Sequence, residues 1–408
     1  MNRKSLFYDI SKGQETNIVE QIFTSLAPLL LAFGLSTGLI ALLIRPAQGW
    51  GWVDRPTTRK HHQAPVPLVG GVAMCAAYGL SLGLLPTQPK AYPILLIGLV
   101  LLTAVGLYDD LRAVRPSIRF LFQIGAVLLM ALGGKIVLGN LGDLFGLGTV
   151  TLAGTVAFLF TLFSVVGVIN AFNMSDGLDG LAGGLALIAT GWLIVLIQMT
   201  PGSSMAGDRG ALLCLFAVTA GFLCFNLRHP WRQRASVFMG DAGSTMLGFA
   251  LAWFLVHLSQ GPEAVMTPMT AVWILALPLM DTVAVAIRRI RAGHSPFAPD
   301  RQHLHHLALS RGLTDGQATA LLLVAALMTG AVGVVAYRFS VPEYLQFYVF
   351  LLLFSLYYWV TTCVWEERWI AVVPLNPGTV ERQEPPPQTA SSTSSPLQNQ
   401  ALPSKNDP

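Results

Sequence analysis

Charged residues are scarce in this 408-residue chain, where Asp, Glu, Lys and Arg together make up only 11% of the sequence. Soluble globular domains carry roughly 25% of such residues. Hydrophobic residues reach 53%, and they gather into runs close to the length of about 20 residues that a bilayer-crossing helix needs. The lack of charge excludes an ordinary soluble domain and predicts an all-α polytopic membrane protein.

Motifs of several other protein classes are absent as well. The four cysteines lie in apolar runs without a CxxC pair, so we interpret them as buried small hydrophobes rather than disulfides or metal ligands. No GxGxxG or GxxxxGK[ST] nucleotide loop is present, and no internal repeat is visible. The formal net charge of +4 gives no indication of a nucleic-acid partner.

The apolar runs predict about eleven transmembrane helices. They cover residues 22–44, 68–86, 92–108, 120–138, 150–169, 181–199, 211–227, 244–259, 267–287, 317–337 and 344–364. We therefore divide the chain into an N-terminal extracytoplasmic segment (1–21), a transmembrane domain (22–370) and a C-terminal tail (371–408). The tail is rich in Pro, Ser and Gln, which predicts a disordered cytoplasmic segment.

Lys and Arg are unequally divided between the loops. Loops that follow odd-numbered spans hold fifteen of these residues, and loops that follow even-numbered spans hold three. Because basic residues accumulate in cytoplasmic loops, the odd-numbered loops are predicted to be cytoplasmic. An odd number of spans then places the N-terminus outside and the C-terminus in the cytoplasm, although Arg3, Lys4 and Lys12 argue weakly against this orientation.

Carboxylates gather in the same odd-numbered loops, which the positive-inside rule does not explain. Asp109 and Asp110 close the third run, Asp176 and Asp179 follow the fifth, and Asp241 follows the seventh. Acids at such depth usually mark a functional site, and Mg²⁺ commonly binds through one or two carboxylates plus substrate phosphate. The alternatives are helix capping for the second pair and plain solvation of a helix end for the first.

Basic groups concentrate in the loop after the ninth span, where QHLHH (302–306) holds three histidines. The motif lacks cysteine and lies near carboxylates, so we favour phosphate or sugar contacts over a zinc site. Solvated surface histidines are the alternative. The residues assigned to these contacts are Arg301, His303, His305 and His306, and, more weakly, Lys60 and His62 of RKHH (59–62).

These residue types together predict phosphoryl transfer at the membrane face, where acids hold Mg²⁺ and basic groups neutralise phosphate oxygens. The position at the lipid boundary predicts that one substrate is a lipid. An ion-coupled membrane transporter is the rival from another class, because intramembrane Asp and Asn also form ion relays. Transporters place such charges near the midplane and often contain inverted repeats, whereas these charges lie at one face.

Five stretches resemble the polyprenyl-phosphate N-acetylhexosamine-1-phosphate transferase family, in the family's order. They are VDRPTTRKHHQAPVPLVGG (53–71), GLYDD (106–110), NAFNMSDGLDGLAGG (170–184), VFMGDAGS (237–244) and SPFAPDRQHLHH (295–306). The last stretch is similar to the branch that loads N-acetylglucosamine-1-phosphate onto undecaprenyl phosphate. The segment before the first span and the C-terminal tail match nothing in the family.

The resemblance implies that UDP-N-acetylglucosamine and undecaprenyl phosphate give undecaprenyl-diphospho-N-acetylglucosamine and UMP, with Mg²⁺ or Mn²⁺ as cofactor. It implies a site on the cytoplasmic face of the bacterial inner membrane, and a role in the first membrane step of O-antigen or related polysaccharide synthesis. The same chemistry with another UDP-N-acetylhexosamine stays open, and so does a homodimer.

The resemblance also implies roles for individual residues. Asp241 is the first choice as Mg²⁺ ligand, and Asp109 and Asp110 lie near the metal and orient the lipid phosphate. The residues implied to contact nucleotide, metal or substrate are Asn170, Asn173, Asp176 and Asp179. Those implied to contact the diphosphate and sugar are Arg301 and the three histidines of QHLHH. We favour direct attack by the lipid phosphate on the β-phosphorus, and the rival mechanism is a covalent phospho-aspartate at Asp109 or Asp110.

Overall fold

The computed structural model describes residues 3–55, 65–85, 87, 89–200, 205–228, 232–296 and 302–366, with side chains from Ala27 onward. The helices are α1 (Arg3–Trp50), α2 (Gly70–Gly83), α3 (Tyr92–Leu111), α4 (Pro116–Leu128), α5 (Gly154–Ser175), α6 (Leu181–Met199), α7 (Ala206–Asn226), α8 (Gly240–Ser259), α9 (Pro268–Ile274), α10 (Ala276–Arg291), α11 (Leu304–Ser310), α12 (Asp315–Arg338) and α13 (Glu343–Trp365). A π-helical turn, Leu129–Gly133, extends α4. Strands β1 (Val53–Asp54) and β2 (Val66–Pro67) pair antiparallel between α1 and α2.

The predicted all-α polytopic membrane architecture is confirmed. Nine helices in the described part of the chain are long and apolar enough to span a membrane, and α9 with α10 forms a tenth candidate that is bent by 80°. The run predicted at 68–86 contains only the 14-residue helix α2, which is shorter than the roughly 20 residues that a full span requires. The orientation of the termini stays a prediction.

The break between α9 and α10 has a local cause. Pro278 carries no backbone N–H, so it leaves the carbonyl four residues earlier, that of Ile274, without its helical hydrogen bond. Helix α9 ends at that residue, and α10 starts again at Ala276 in a new direction. The predicted run at 267–287 is therefore two helices rather than one straight span.

Helix α8 forms the centre of the bundle. Nearly all of its side chains are buried, including Phe249, Trp253 and Phe254. Neighbouring helices approach its backbone at glycines: a Cβ built on Gly106 of α3 would lie 2.5 Å from the Cα of Ala242. Close helix contact at small residues is typical of membrane proteins, where association depends on packing rather than on expulsion of water.

The close approach of α3 and α8 brings the aspartates near their ends together. The described parts of the odd-numbered loops meet at one end of the bundle. Hydrogen bonds join Asp110 to the start of α8, Asn173 near the end of α5 to Asp241, and Phe238 to Pro67 before α2, and His305 packs against Gly177. We call this end of the bundle the acidic end. For the described residues, the prediction that these loops share one face is confirmed.

A Gly106→Ala substitution tests the helix contact. The added methyl group must push α3 away from α8, and overpacking of this kind typically costs about 1–3 kcal/mol. We expect a lower melting temperature in detergent and reduced activity. Gly167→Ala on α5 is the control, because a Cβ there meets no atom within 4 Å; equal melting temperatures for the two variants would contradict the packing account.

Candidate active site

Asp110 connects α3 to α8 through the backbone of α8. Its carboxylate accepts hydrogen bonds from the amides of Asp241 (2.9 Å) and Ala242 (3.2 Å). The first amides of a helix have no partner within the helix and favour a negative charge. Gly240 precedes them with a φ of +64°, and a Cβ at this position would lie 2.2 Å from Asp110 Oδ2, so a side chain there would displace the carboxylate. Asp110 thus holds Asp241 in place.

Arg119 links the carboxylates of two helices. Its Nη1 lies 2.7 Å from Asp109 Oδ2 and 3.0 Å from Asp241 Oδ2, and its Nη2 donates to Asn173 Oδ1. The Asn173 amide donates to Asp241 Oδ1 (2.7 Å) and to Ser244 Oγ (3.0 Å). One guanidinium therefore offsets two carboxylates that would otherwise repel each other.

Asp241 is the more accessible of these two acids. Its side chain is 29% exposed, whereas that of Asp109 is 9% exposed. Asp109 also accepts a hydrogen bond from the amide of Val114, which fixes the turn between α3 and α4. Asp241 is accordingly the carboxylate that an incoming ligand can reach.

Asp176 is a carboxylate without a hydrogen-bonding or ion-pair partner among the described residues. Burial raises its pKa well above the usual value, and the nearby carboxylates of Asp241, Asp110 and Asp179 raise the pKa further. A carboxylate in such surroundings favours binding of a proton or a cation. Asp176 therefore has the properties expected of a ligand-binding group.

Asp179 plays a different part from Asp176. The spacing of the two acids suggests one helical turn, but α5 ends at Ser175, and Gly180, with a φ of +81°, starts α6 in a new direction. The Asp179 carboxylate is turned toward Arg228 Nε (2.7 Å) and the amide of Ala235 (3.0 Å). It ties the α5–α6 turn to the segment after α7.

Asn170 lies one turn before Asn173 on α5. Its amide donates to Gln123 Oε1 of α4 and to the carbonyl of Val166, each at 2.8 Å. The structure thus ties Asn170 to α4, while Asn173 is the amide that contacts the carboxylates.

The histidines lie beside the α5–α6 turn. A Cβ on Gly177 would fall 2.2 Å from His305 Nε2, so this histidine packs directly against the residue after Asp176. The rings of His303 and His305 are stacked with centroids 5.9 Å apart, and those of His305 and His306 are 4.2 Å apart. Burial, together with His306 and His303, lowers the pKa of His305 to about 3.

Three predicted contact residues lie outside the described residues: Lys60, His62 and Arg301. The tail 371–408 lies outside them too. Within the described part of the chain, no group of three or more His, Cys, Asp and Glu side chains is arranged to hold a metal ion by itself. This result gives no support to a zinc site at the histidines.

Two residues of the site, Asp281 and Arg119, are not among the site residues predicted from the sequence. Asp281 lies inside the run 267–287, and its carboxylate bonds His303 Nδ1 at 2.9 Å. The available signal was a lone acid within an apolar run, which usually indicates a functional group. Arg119 is one of the basic residues that predict a cytoplasmic loop. Its sequence signal for a further role is its position, three residues after Pro116 and directly before an apolar run.

Acids, an arginine and histidines at one end of an apolar helix bundle are the groups that an integral membrane transferase of phosphorylated substrates needs. The particular family follows from comparison with known proteins. Residues 92–259 match the model of glycosyl transferase family 4, and the chain belongs to this family of membrane transferases, which confirms the resemblance found in the sequence.

Curated relatives agree with the family model. The chain is 37% identical over 348 residues to the Escherichia coli (strain K12) undecaprenyl-phosphate alpha-N-acetylglucosaminyl 1-phosphate transferase, covering 85% of this chain and 93% of the relative. Proteins with the same name from Salmonella typhi (39% over 347 residues, 85% and 93% covered) and Haemophilus influenzae (37% over 339 residues, 82% and 94% covered) are similar as well.

His305 gives a test of the buried histidine cluster. Its pKa is about 3 in the folded protein against 6.5 for a free histidine. The unfolded chain therefore binds a proton that the folded protein does not, and stability is lost as the pH falls below 6.5 toward 3, by about 1.4 kcal/mol per pH unit.

We expect His305→Gln to flatten the fall in melting temperature between pH 7 and pH 5. The exposed His294 is the control position, and His294→Gln should keep the slope of the unsubstituted protein. Equal slopes for all three proteins would contradict the burial of a neutral His305.

Proposed function

We propose that the protein transfers N-acetylglucosamine-1-phosphate from UDP-N-acetylglucosamine to undecaprenyl phosphate, which yields undecaprenyl-diphospho-N-acetylglucosamine and UMP. The observation that carries the proposal is the convergence of Asp109, Asn173 and Asp241, from three helices, on Arg119 at the acidic end. Relatives with this named activity match over 93% of their own length. Membership of a transferase family removes the transporter as an alternative.

The chemistry is a displacement at phosphorus. An oxygen of the lipid phosphate forms a bond to the β-phosphorus of the nucleotide, the bond from that phosphorus to the bridging oxygen breaks, and UMP leaves with this oxygen. The second pKa of a phosphate monoester is about 6, so the lipid phosphate is mostly dianionic at neutral pH. The protein then has to position groups and stabilise charge rather than to supply a strong base.

The residues at the acidic end suit this task. Arg119 can bind phosphate oxygens in its planar fork, and Asp110 fixes the start of α8. The histidines lie next to the α5–α6 turn and, in our proposal, contact the diphosphate and sugar. Asp109 accepts from Arg119 and the Val114 amide, and Asp110 accepts from two amides of α8. A carboxylate whose oxygens are engaged in this way is a weaker nucleophile, which favours direct attack over a phospho-aspartate.

Mg²⁺ is the proposed cofactor, with Asp241 as the first ligand. The donors at the acidic end are carboxylate and amide oxygens, which hard divalent cations prefer, and Asp176 has no described partner of its own. A metal that takes its other ligands from water and phosphate does not need three protein acids. This is compatible with the described residues, which contain no group of three acidic, histidine or cysteine side chains arranged around a metal position. The ion supplies charge neutralisation on the diphosphate, and Mn²⁺ accepts similar ligands.

The excess of Lys and Arg in the odd-numbered loops supports a site that opens to the cytoplasm. We accordingly propose that the protein lies in the bacterial inner membrane. There it catalyses the first membrane step of O-antigen or related envelope polysaccharide synthesis.

Replacing Asp241 tests the proposed site. We expect Asp241→Asn to reduce Mg²⁺-dependent UMP release from UDP-N-acetylglucosamine by at least about 100-fold, because the carboxylate that a ligand can reach is lost. The amide keeps the shape of the side chain, so expression and melting temperature should change little. Glu263→Gln, an exposed acid outside the acidic end, is the control. Normal turnover of Asp241→Asn would rule out the metal assignment, and faster turnover with UDP-N-acetylgalactosamine would correct the sugar.

The stereochemical course tests the mechanism separately. A nucleotide made chiral at the β-phosphorus with oxygen isotopes should give a product of inverted configuration, because a single displacement inverts the centre. A covalent phospho-aspartate requires two displacements and retains the configuration. Retention would therefore reject direct attack, with the configuration read by phosphorus NMR.

A further inference from the structure

Asp281 on α10 accepts three hydrogen bonds, two from the histidine segment and one from α13. Its Oδ2 lies 2.9 Å from His303 Nδ1, and its Oδ1 accepts from the amide of Leu304 (3.0 Å) and from the hydroxyl of Tyr357 on α13 (2.9 Å). The residue is only 8% exposed. The acid is therefore fixed in orientation from two directions and holds both the ring and the backbone of the histidine segment.

The contact with Asp281 determines which nitrogen of His303 carries the proton. An ionised carboxylate can only accept hydrogen bonds, so Nδ1 must be the donor in this pair. Nε2 is then the nitrogen left for a second partner: it accepts a hydrogen bond in the neutral ring and donates one when the ring carries a second proton. A partner that fixes a histidine in this way sets both its tautomer and its orientation.

The neighbouring His305 is connected to the same acid by a small cavity. The cavity has a volume of about 20 Å³, and Ser175, Asp281 and His305 supply its polar lining. A space of this size holds one water molecule, and the three side chains provide the partners that such a water needs. The remaining lining is apolar, so within this cavity Asp281 has only His305 and Ser175 as polar neighbours.

We propose that Asp281 is a positioning residue of the transfer reaction: it accepts from Nδ1–H of His303 and so orients Nε2 toward the diphosphate, to which Nε2–H of the doubly protonated ring donates, with Tyr357 fixing the carboxylate. This inference rests on the proposed function, in which His303 contacts the diphosphate. A purely structural acid is the alternative, because a buried carboxylate with three donors also stabilises the fold.

The chain contains a matched control for the structural alternative. Asp208 is buried as well, and its Oδ1 lies 3.1 Å from the Tyr92 hydroxyl and 3.2 Å from His257 Nε2. Asp208 lies in the first turn of α7, Tyr92 begins α3, and His257 lies in the last turn of α8. They therefore lie at the opposite end of the bundle from the acidic end. The two clusters share their chemistry and differ in their distance from the site.

The experiment compares the two acids in the full-length protein in nanodiscs. We expect Asp281→Asn to lower kcat by about 10- to 100-fold and Tyr357→Phe to lower kcat by less. In both variants, KM for UDP-N-acetylglucosamine should change less than about threefold. Asp208→Asn and Tyr92→Phe should lower the melting temperature and leave kcat within about twofold. Equal kcat losses in both clusters, or a kcat loss that follows melting temperature across all variants, would overturn the proposal.

A spectroscopic measurement reads the tautomer directly and does not depend on activity. In protein labelled with ¹⁵N-histidine, the His303 resonances, identified by their loss in His303→Gln, should indicate a protonated Nδ1. We expect this signature to weaken in Asp281→Asn, where a neutral amide replaces the acceptor, and to persist in Asp208→Asn. An unchanged His303 spectrum in Asp281→Asn would overturn the proposal even if that variant were inactive.

A double substitution separates failure of this inference from failure of the proposed function. If Asp281 acts through His303, Asp281→Asn combined with His303→Gln should be no slower than His303→Gln alone. Full activity of His303→Gln would remove the histidine from the proposed function. An inactive His303→Gln beside a fully active Asp281→Asn would reject only the positioning role, and Tyr357→Phe keeps the test available if Asp281→Asn does not fold.

Discussion

The pair of hydrogen bonds from the first amides of α8 to Asp110 is the interaction on which the rest of the site depends. It brings a carboxylate from the end of one membrane helix to the beginning of another, where the unpaired amides and the helix dipole favour negative charge. Asp241 belongs to that first turn, so its position follows from this contact. The glycine at position 106 allows it, because a larger residue would hold the two helices apart.

Several acids at the margin of an apolar bundle would repel one another without compensation, and the structure divides them by function. Asp109 and Asp179 are paired with arginines and backbone amides, and they hold turns in place. Asp241 is shared between Arg119 and Asn173 but remains partly exposed, and Asp176 has no hydrogen-bonding or ion-pair partner among the described residues while other carboxylates lie nearby. Some of these aspartates thus hold neighbouring segments together, and others remain accessible to ligands.

Much of this arrangement could be predicted because motifs at the ends of apolar runs carry a simple geometric consequence: ends with the same orientation lie at the same face. Asp110, Asn173 and Asp241 are predicted to lie together on this ground, and their contacts confirm it. The pairing of Asp179 with Arg228 could not be predicted, since it depends on the end of α5 at Ser175 and on the left-handed conformation of Gly180. The role of Asp281 could not be predicted either, because its partners lie 22 and 76 residues further along the chain and meet it only in the folded bundle.

Helix α13 buries only Gln346 and Thr361, yet it supplies the Tyr357 hydroxyl to Asp281 and the Thr361 hydroxyl to Arg288. The ribosome delivers the spans of a membrane protein in sequence, and this one is the last of the described helices to emerge. The histidine segment therefore acquires its full set of anchors only when synthesis of the bundle is nearly complete. A nascent chain arrested before α13 would contain the acids of the earlier helices but would lack the Tyr357 contact to Asp281. Insertion of the earlier helices into the membrane therefore precedes the onset of turnover.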